Sequence, residues 1–232
     1  MSPSRITALR KYGFEFLTIF IGVFAAFALS SWYDGRRDSH AEVKILAEIQ
    51  NGLRQDTVDL HLNRMGHRQG IAATNYFTRL VSGQELPTDS LNQHYFNLLR
   101  TFFSQQNVSG YESLKSKGLE TIQNDSLRKE IIALYENNYT SLRKLEEDYE
   151  EVQFFKNYNY DFNHILAPHF QFLPSGQTII QYPLKLSTSE KNVLLLHLWR
   201  IRVNRLFVLG YYDEILEKIE KVEKDITQEL KR

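Results

Sequence analysis

The apolar positions of this chain follow a helical period almost throughout. From Phe16 to Leu29 every residue is apolar or small: Phe-Leu-Thr-Ile-Phe-Ile-Gly-Val-Phe-Ala-Ala-Phe-Ala-Leu. Extended to Tyr12 and Trp32, the run reaches about 20 residues. At about 1.5 Å per residue that spans a hydrocarbon layer about 30 Å thick. Tyr12 at one end and Trp32-Tyr33 at the other have the character of interface aromatics. A cleaved signal peptide would carry a shorter apolar region followed by a small-x-small site. Ala26-Phe27-Ala28 has that form but lies inside the run, so the run reads as an anchor.

Beyond the anchor, Asp34-Gly35 is the one soft point before Ile45, Leu46, Ile49, Leu53 and Leu60 trace a helical face. The membrane helix is therefore expected to continue outward as a stalk. A further helical stretch is expected over 68–81, ending near Ser82-Gly83. Leu86-Pro87-Thr88-Asp89 marks a turn and a helix start, after which Leu91, Tyr95, Leu98 and Phe102 recur at helical spacing. Gln105 to Gly110 is polar and reads as a loop. Tyr111 to Lys117 predicts a short helix stopped by Gly118 in a left-handed cap. Asn124-Asp125 opens the next helix, with the stripe Leu127, Ile131, Tyr135, Leu142, Leu145, Tyr149 and Val152.

The segment 168–187 is the least helical, with Pro168, Pro174, Pro183 and Ser175-Gly176. Within it Phe170–Leu173 and Thr178–Tyr182 predict a small hairpin. Ser187-x-x-Glu190 is a capping box for a last helix. That helix carries Leu194, Leu198, Ile201, Arg205, Val208, Tyr212, Ile215, Ile219, Val222 and Ile226 at 4-3 spacing. A second stripe, Leu195, Trp199, Leu206 and Leu209, occupies its first half only, which predicts burial on two sides there. The second half has one seam with charged flanks, like a coiled-coil partner.

The fold class is thus all-α: one N-terminal transmembrane helix running into a helical bundle, with a small irregular or β-hairpin insert near 168–187. The domain reading is a cytoplasmic tail over 1–11, the membrane helix over 12–33 and an extracytoplasmic helical domain over 34–232. Arg5, Arg10 and Lys11 precede the anchor, whereas Arg36 and Arg37 follow it beside Asp34 and Asp38. The positive-inside rule then places the N-terminus in the cytoplasm and the domain outside, in the periplasm of a bacterial inner membrane.

Composition narrows the function by exclusion. Lys+Arg and Asp+Glu both number 28, so there is no basic excess for a phosphate backbone and nucleic acid is not an expected partner. With no cysteine, disulfides, thiol catalysis and Cys-ligated metals are ruled out. The seven histidines form no His-x-x-x-His or Glu-x-x-His pair; Asp161-x-x-His164 is the single weak ligand pair. No nucleophile elbow, phosphate loop or dinucleotide fingerprint is present. No enzymatic activity and no cofactor are expected.

Three groups of residues remain as candidates. Glu15 is a carboxylate at the edge of an apolar helix, which is costly and usually has a reason. It fits a headgroup-boundary residue capped by Arg10 or Lys11, a proton- or ion-handling group, or the partner of a cation on another membrane protein. Gly22, Ala26 and Ser30 follow at helical spacing on the same side and allow close helix packing in lipid. The aromatic group Phe154, Phe155, Tyr158, Tyr160, Phe162, Phe170 and Phe172 fits a bundle core, a ligand pocket or a partner surface.

Two segments carry a resemblance. One is the anchor, Glu15 through Gly22 and Ala26 to Trp32. The other is Tyr111-Glu-Ser-Leu114-Lys-Ser-Lys-Gly118-Leu-Glu-Thr-Ile122-Gln-Asn124-Asp-Ser-Leu127-Arg128. Together they resemble a family of single-pass membrane proteins of uncharacterised function common in Bacteroidota. That resemblance implies a short basic N-terminus, one membrane helix and a helical domain, and no activity. Physically the second segment reads as a helix-stop-helix corner packed by Leu114, Leu119, Ile122 and Leu127, with Arg128 bonding nearby carbonyls. The functional expectation is a membrane-anchored scaffold or interaction protein whose partners are the lipid bilayer and a second copy or another membrane protein. The alternatives are an ion-coupled subunit using Glu15 and a ligand-binding sensor using the aromatic group.

Overall fold

The computed structural model describes residues 3–87, 89–176 and 178–231, with side chains from Phe16 onward. The side chains of Arg5, Arg10, Lys11, Tyr12 and Glu15 lie outside the described set, as does Thr88 of the expected turn.

The chain opens with one unbroken helix, α1 (Pro3–Val81), of 79 residues and about 120 Å at the usual rise. Stalk and domain helix are therefore a single element, and the expected separate stretch over 68–81 is its last turns. The reason is local: Gly35 costs about 1 kcal/mol in a helix, and nothing else between Trp32 and Ile45 breaks one. Ser39 also donates its hydroxyl to the Gly35 carbonyl at 3.0 Å. Among the described residues α1 is the one helix long and apolar enough to cross a membrane, with a mean hydropathy of 1.8 over a window of which none is buried. Among the described residues no core residue precedes Ile45 and the first tie to the domain is Gln123 N–H to Glu42 at 2.8 Å, so the stalk from Tyr33 to His40 stands free for about 10 Å.

The other elements are α2 (Leu91–Leu99), α3 (Ser109–Lys117), α4 (Asp125–Ile132), a π-helical stretch (Ala133–Tyr139) and α5 (Thr140–Glu147). There follow α6 (Phe154–Asn157), α7 (Asn159–Leu166), the strands β1 (Phe170–Phe172) and β2 (Thr178–Ile180), and α8 (Thr188–Glu229). The strands form the expected antiparallel hairpin, with Phe170 opposite Ile180 and Phe172 opposite Thr178. The all-α reading therefore holds, with that hairpin as its small insert.

The frame is the antiparallel pair of α1 and α8. Gln50 donates to Thr227 at 2.7 Å, Arg54 pairs with Glu223, and Arg64 pairs with Asp213 at 2.5 Å. The single 4-3 seam of α8 is buried along its whole length, from Leu194 to Ile226. The frame carries two hydrophobic clusters. The proximal one joins Ile45–Leu60 of α1, α3 to α5, and Val208–Ile226 of α8. The distal one joins Ala73–Val81, α2, Phe154, Tyr158, Phe162 and Leu194–Ile201.

Local signals explain most of the boundaries. Ser187 and Glu190 make the full capping box of α8, and the Asn124 side chain accepts from Ser126 and Leu127 N–H to start α4. Gly118 ends α3 at φ 111° and ψ 132°, a positive φ as expected but with an extended ψ rather than the left-handed helical one. Leu114 and Ile122 are fully buried at that corner, and Arg128 donates to the Ile122 carbonyl at 2.9 Å.

Three expectations fail. Helical spacing was extended to Phe102, but α2 stops at Leu99. Phe102 instead lies in a segment without regular secondary structure, its ring covering Gly66 of α1. The stripe of α4–α5 misses Leu134 and Tyr139, both buried, and includes Tyr149, which is exposed. The π-helical stretch has more residues per turn than an α-helix and shifts the phase of the buried face; the helix then ends at Glu147. The third is the second stripe of α8: Trp199 is 61 % and Leu206 47 % exposed, while Leu195 and Leu209 are half-buried. The first half of α8 is covered on one side only, because the distal elements pack beneath it and nothing packs above.

Candidate functional site

The region between the two clusters is polar. The segment 100–108 crosses it without regular secondary structure, and its N–H groups have no ladder to join. Three carboxylates take them: Ser104 N–H donates to Glu146 at 2.9 Å, Gln105 N–H to Asp59 at 2.9 Å, and Asn107 N–H to Asp56 at 2.7 Å. The Tyr139 hydroxyl donates to the second oxygen of Asp56 at 2.7 Å, and the Tyr212 hydroxyl donates to Glu146. Burial raises the Asp56 carboxyl from 3.8 to about 6 and raises Glu146 as well, while the hydrogen bonds pull the other way.

Arg205 is the cation of this layer. Its guanidinium donates to the carbonyls of Leu98 at 3.0 Å and Arg100 at 2.9 Å, with a longer bond to Asn97. It therefore closes the carbonyl end of α2, where the helix dipole is negative. Burial lowers it to about 10. The guanidinium lies against Gly70, where an added Cβ would come within 2.4 Å. His67 sits beside it with Nδ1 at 3.5 Å from Arg205. Arg donates only, so Nδ1 is the acceptor and Nε2 carries the proton. Burial, then the Arg205 charge, lower His67 to about 3. A cavity of about 30 Å³ beside these two residues holds no more than a water or so. This layer ties segment 100–108 to α1, α5 and α8; it has the geometry of a structural lock.

Asp56 and Arg205 occupy core-stripe positions, Asp56 between Leu53 and Leu60 and Arg205 between Ile201 and Val208. A charge at a core position was the available signal. Glu146 had none, since it lies off the apolar stripe.

The aromatic group is divided by the fold. Phe154, Tyr158 and Phe162 are buried in the distal cluster. Phe155 and Tyr160 are exposed, and Tyr160 stacks on His164. Phe170 and Phe172 line an open cleft of about 330 Å³ with Tyr95, Phe96, Asn92 and Asn163. Its polar groups already have partners: Tyr95 donates to Asn163 at 2.5 Å, and Asn92 donates to the Thr178 carbonyl at 2.7 Å. Asp161 meets His197 at 2.7 Å rather than His164. Among the described residues no group of three His, Asp or Glu side chains is placed to hold a metal ion.

The anchor residues Gly22, Ala26 and Ser30 lie on a fully exposed part of α1, and nothing comes within 4 Å of a Cβ placed on Gly22. Arg36 lies over the Trp32 ring at 4.9 Å, at the boundary where an aromatic belt is expected.

The feature that sequence reasoning mistook is the outer face of α8. Leu196, Trp199, Val203, Leu206 and Phe207 are all exposed, and Gly210 has open space above it. Leu196, Trp199, Val203, Leu206 and Gly210 follow at spacings of three and four opposite the buried seam, with Phe207 beside Leu206. A helix apolar on both sides is normally covered on both. Val58, Leu62 and Met65 form a second exposed apolar group on the side of α1 turned from the core. The α1–α8 register sets Met65 near the level of Asp213, next to the lower end of the α8 stripe.

Compared with known proteins, the chain matches no family model, no curated protein and no solved structure.

Proposed function

We propose that this chain is a membrane-anchored interaction protein without catalytic activity, held in a bacterial inner membrane with its helical domain in the periplasm. The observation that carries the reading is α1 itself. Its exposed apolar segment and the domain's core helix are one continuous rod, so the domain stands at a fixed height and orientation above the bilayer. A rod of this kind presents a surface; the exposed apolar face of α1 and α8 supplies one to present. Asp56, Glu146 and Arg205 support the same view, since each holds segment 100–108 or the end of α2 in place rather than facing a substrate-sized cavity. The Lys/Arg bias around the anchor supports the orientation.

Two measurements test it. A C-terminal alkaline phosphatase fusion is expected to be active and a C-terminal cytoplasmic-folding fluorescent fusion dark; the reverse pattern overturns the periplasmic placement. A photo-crosslinking residue at Trp199 in intact cells is expected to give a protein adduct that the same residue at Ser116, exposed on α3 beside Ala41 and Lys44 of α1 and away from the α8 stripe, does not. Absence of any adduct at Trp199 overturns the interaction role.

A further inference from the structure

Resting on that reading, we infer that the outer face of α8 is covered by the same face of a second copy, the two α8 helices lying parallel and in register. The stripe is a heptad seam two repeats long: Leu196, Trp199, Val203, Leu206 and Gly210 alternate at spacings of three and four, which is the pattern of paired helices.

Height rules out lipid as the cover. Arg205 lies against Gly70 of α1, about 55 Å along the helix from Tyr33 at the membrane boundary. The seam therefore lies far above a bilayer that α1 enters near Trp32.

Orientation selects the parallel pairing. Two copies anchored in one membrane by the same helix are related by an axis along the membrane normal, so their α8 helices point the same way. Parallel pairing in register sets the seam's flanking positions against each other as Leu195 with Arg200, Arg202 with Phe207, and Leu209 with Glu214 of the second copy. No like charges meet, the Arg200 stem covers a leucine, and the Arg202 guanidinium reaches an aromatic face.

Size and continuity fit as well. The exposed side chains of Leu196, Trp199, Val203, Leu206 and Phe207 present on the order of 500 Å² per copy, given about 150–250 Å² for a large aromatic side chain. That is most of the roughly 800 Å² per partner of a standard interface. On a straight helix Gly22 and Val58, like Ala26 and Leu62, are about ten turns apart at 3.6 residues per turn and share one side. The small-residue face of the apolar segment thus points the same way as the exposed apolar face of α1.

The absence of cysteine makes the test direct. Single variants Leu196→Cys, Val203→Cys, Gly210→Cys and, as a control on α3 away from the stripe, Ser116→Cys are made in the full chain and oxidised in intact membranes. All are exposed sites, so folding is checked by helicity and not expected to change. Disulfide-linked dimers are expected at 196, 203 and 210, not at 116, and are expected to disappear when Trp199→Asp is added. A dimer at Val203→Cys alone signifies antiparallel helices and overturns the proposal, because residues 196 and 210 then lie far from their own copies. No disulfide dimer together with a hetero-adduct at Trp199 overturns it too, leaving the interaction role standing with a different partner. No disulfide dimer and no adduct removes both.

Discussion

Gly70 shows how a single residue is decided by magnitudes. In an exposed helix Gly→Ala would stabilise by up to about 1 kcal/mol. Here the added methyl would fall 2.4 Å from a guanidinium that is buried and held by the Leu98 and Arg100 carbonyls. Gly70→Ala is therefore expected to destabilise by about 1–3 kcal/mol, the usual cost of overpacking, as read from thermal unfolding of the full chain in detergent. Asp56 and His67 lie in the same layer and titrate in opposition. The raised carboxyl of Asp56 stabilises the fold below pH 3.8, and that contribution is lost as pH rises through about 6. The lowered imidazole of His67 contributes stability above pH 6.5 that is lost as pH falls toward about 3. Between pH 4 and 6 the two slopes have opposite signs. Asp56→Asn should make stability rise more steeply with pH across that window, and His67→Gln should flatten or reverse the rise. Unfolding midpoints at pH 4, 5 and 6 distinguish the cases; identical profiles for both variants and wild type would show that neither group titrates there.

At the scale of elements, boundaries follow short-range chemistry and phase follows packing. The capping box of α8, the Asn124 cap of α4 and the Gly118 stop of α3 were all legible, because each is satisfied within a few residues of itself. Gly118→Ala is expected to cost about 1–2 kcal/mol, since an L side chain is disfavoured at positive φ and its Cβ would also crowd Glu120 at 2.5 Å. The measurement is the melting temperature of the full chain, and a value equal to wild type would mean the corner relaxes to another φ. The π-helical stretch was not legible. Its residues fit an α-helix just as well, and the wider turn places both Tyr135 and Tyr139 inward, where Tyr135 stacks on Tyr111 at 4.5 Å and Tyr139 reaches Asp56. The end of α2 at Leu99 was hidden for a similar reason: Phe102 continues the helical spacing, but the carbonyls that would have continued the helix are taken by Arg205, over a hundred residues later in the chain.

For the whole molecule the governing feature is the single rod of α1. It couples the apolar N-terminal segment to the orientation of the domain, because no hinge intervenes between Trp32 and the core at Ile45. Gly22→Leu is expected to separate anchors that pack through small residues, and so to lower the yield of disulfide-linked Gly210→Cys dimers without changing the helicity of the domain. An unchanged yield would show that association is set by the outer domain alone and that Gly22, Ala26 and Ser30 face lipid.

By itself the sequence determined the helical class, the place of the long apolar helical segment, the hairpin and the seam of α8, because each rests on periodicity or on chemistry between near neighbours. It also placed Arg205 on the core stripe of α8, though not what it holds, and passed over Asp56. Only the tertiary structure decided that α8 is covered on one side, that the aromatic group is split between core, surface and cleft, and that three carboxylates capture one segment without regular secondary structure. Those outcomes depend on which distant segments arrive at a given face, and hydrophobic burial carries no direction of its own. The stripe of Trp199 and Leu206 has the same apolar character whether a neighbouring helix covers it or not. Its exposure is a property of how much of the chain was left to cover it.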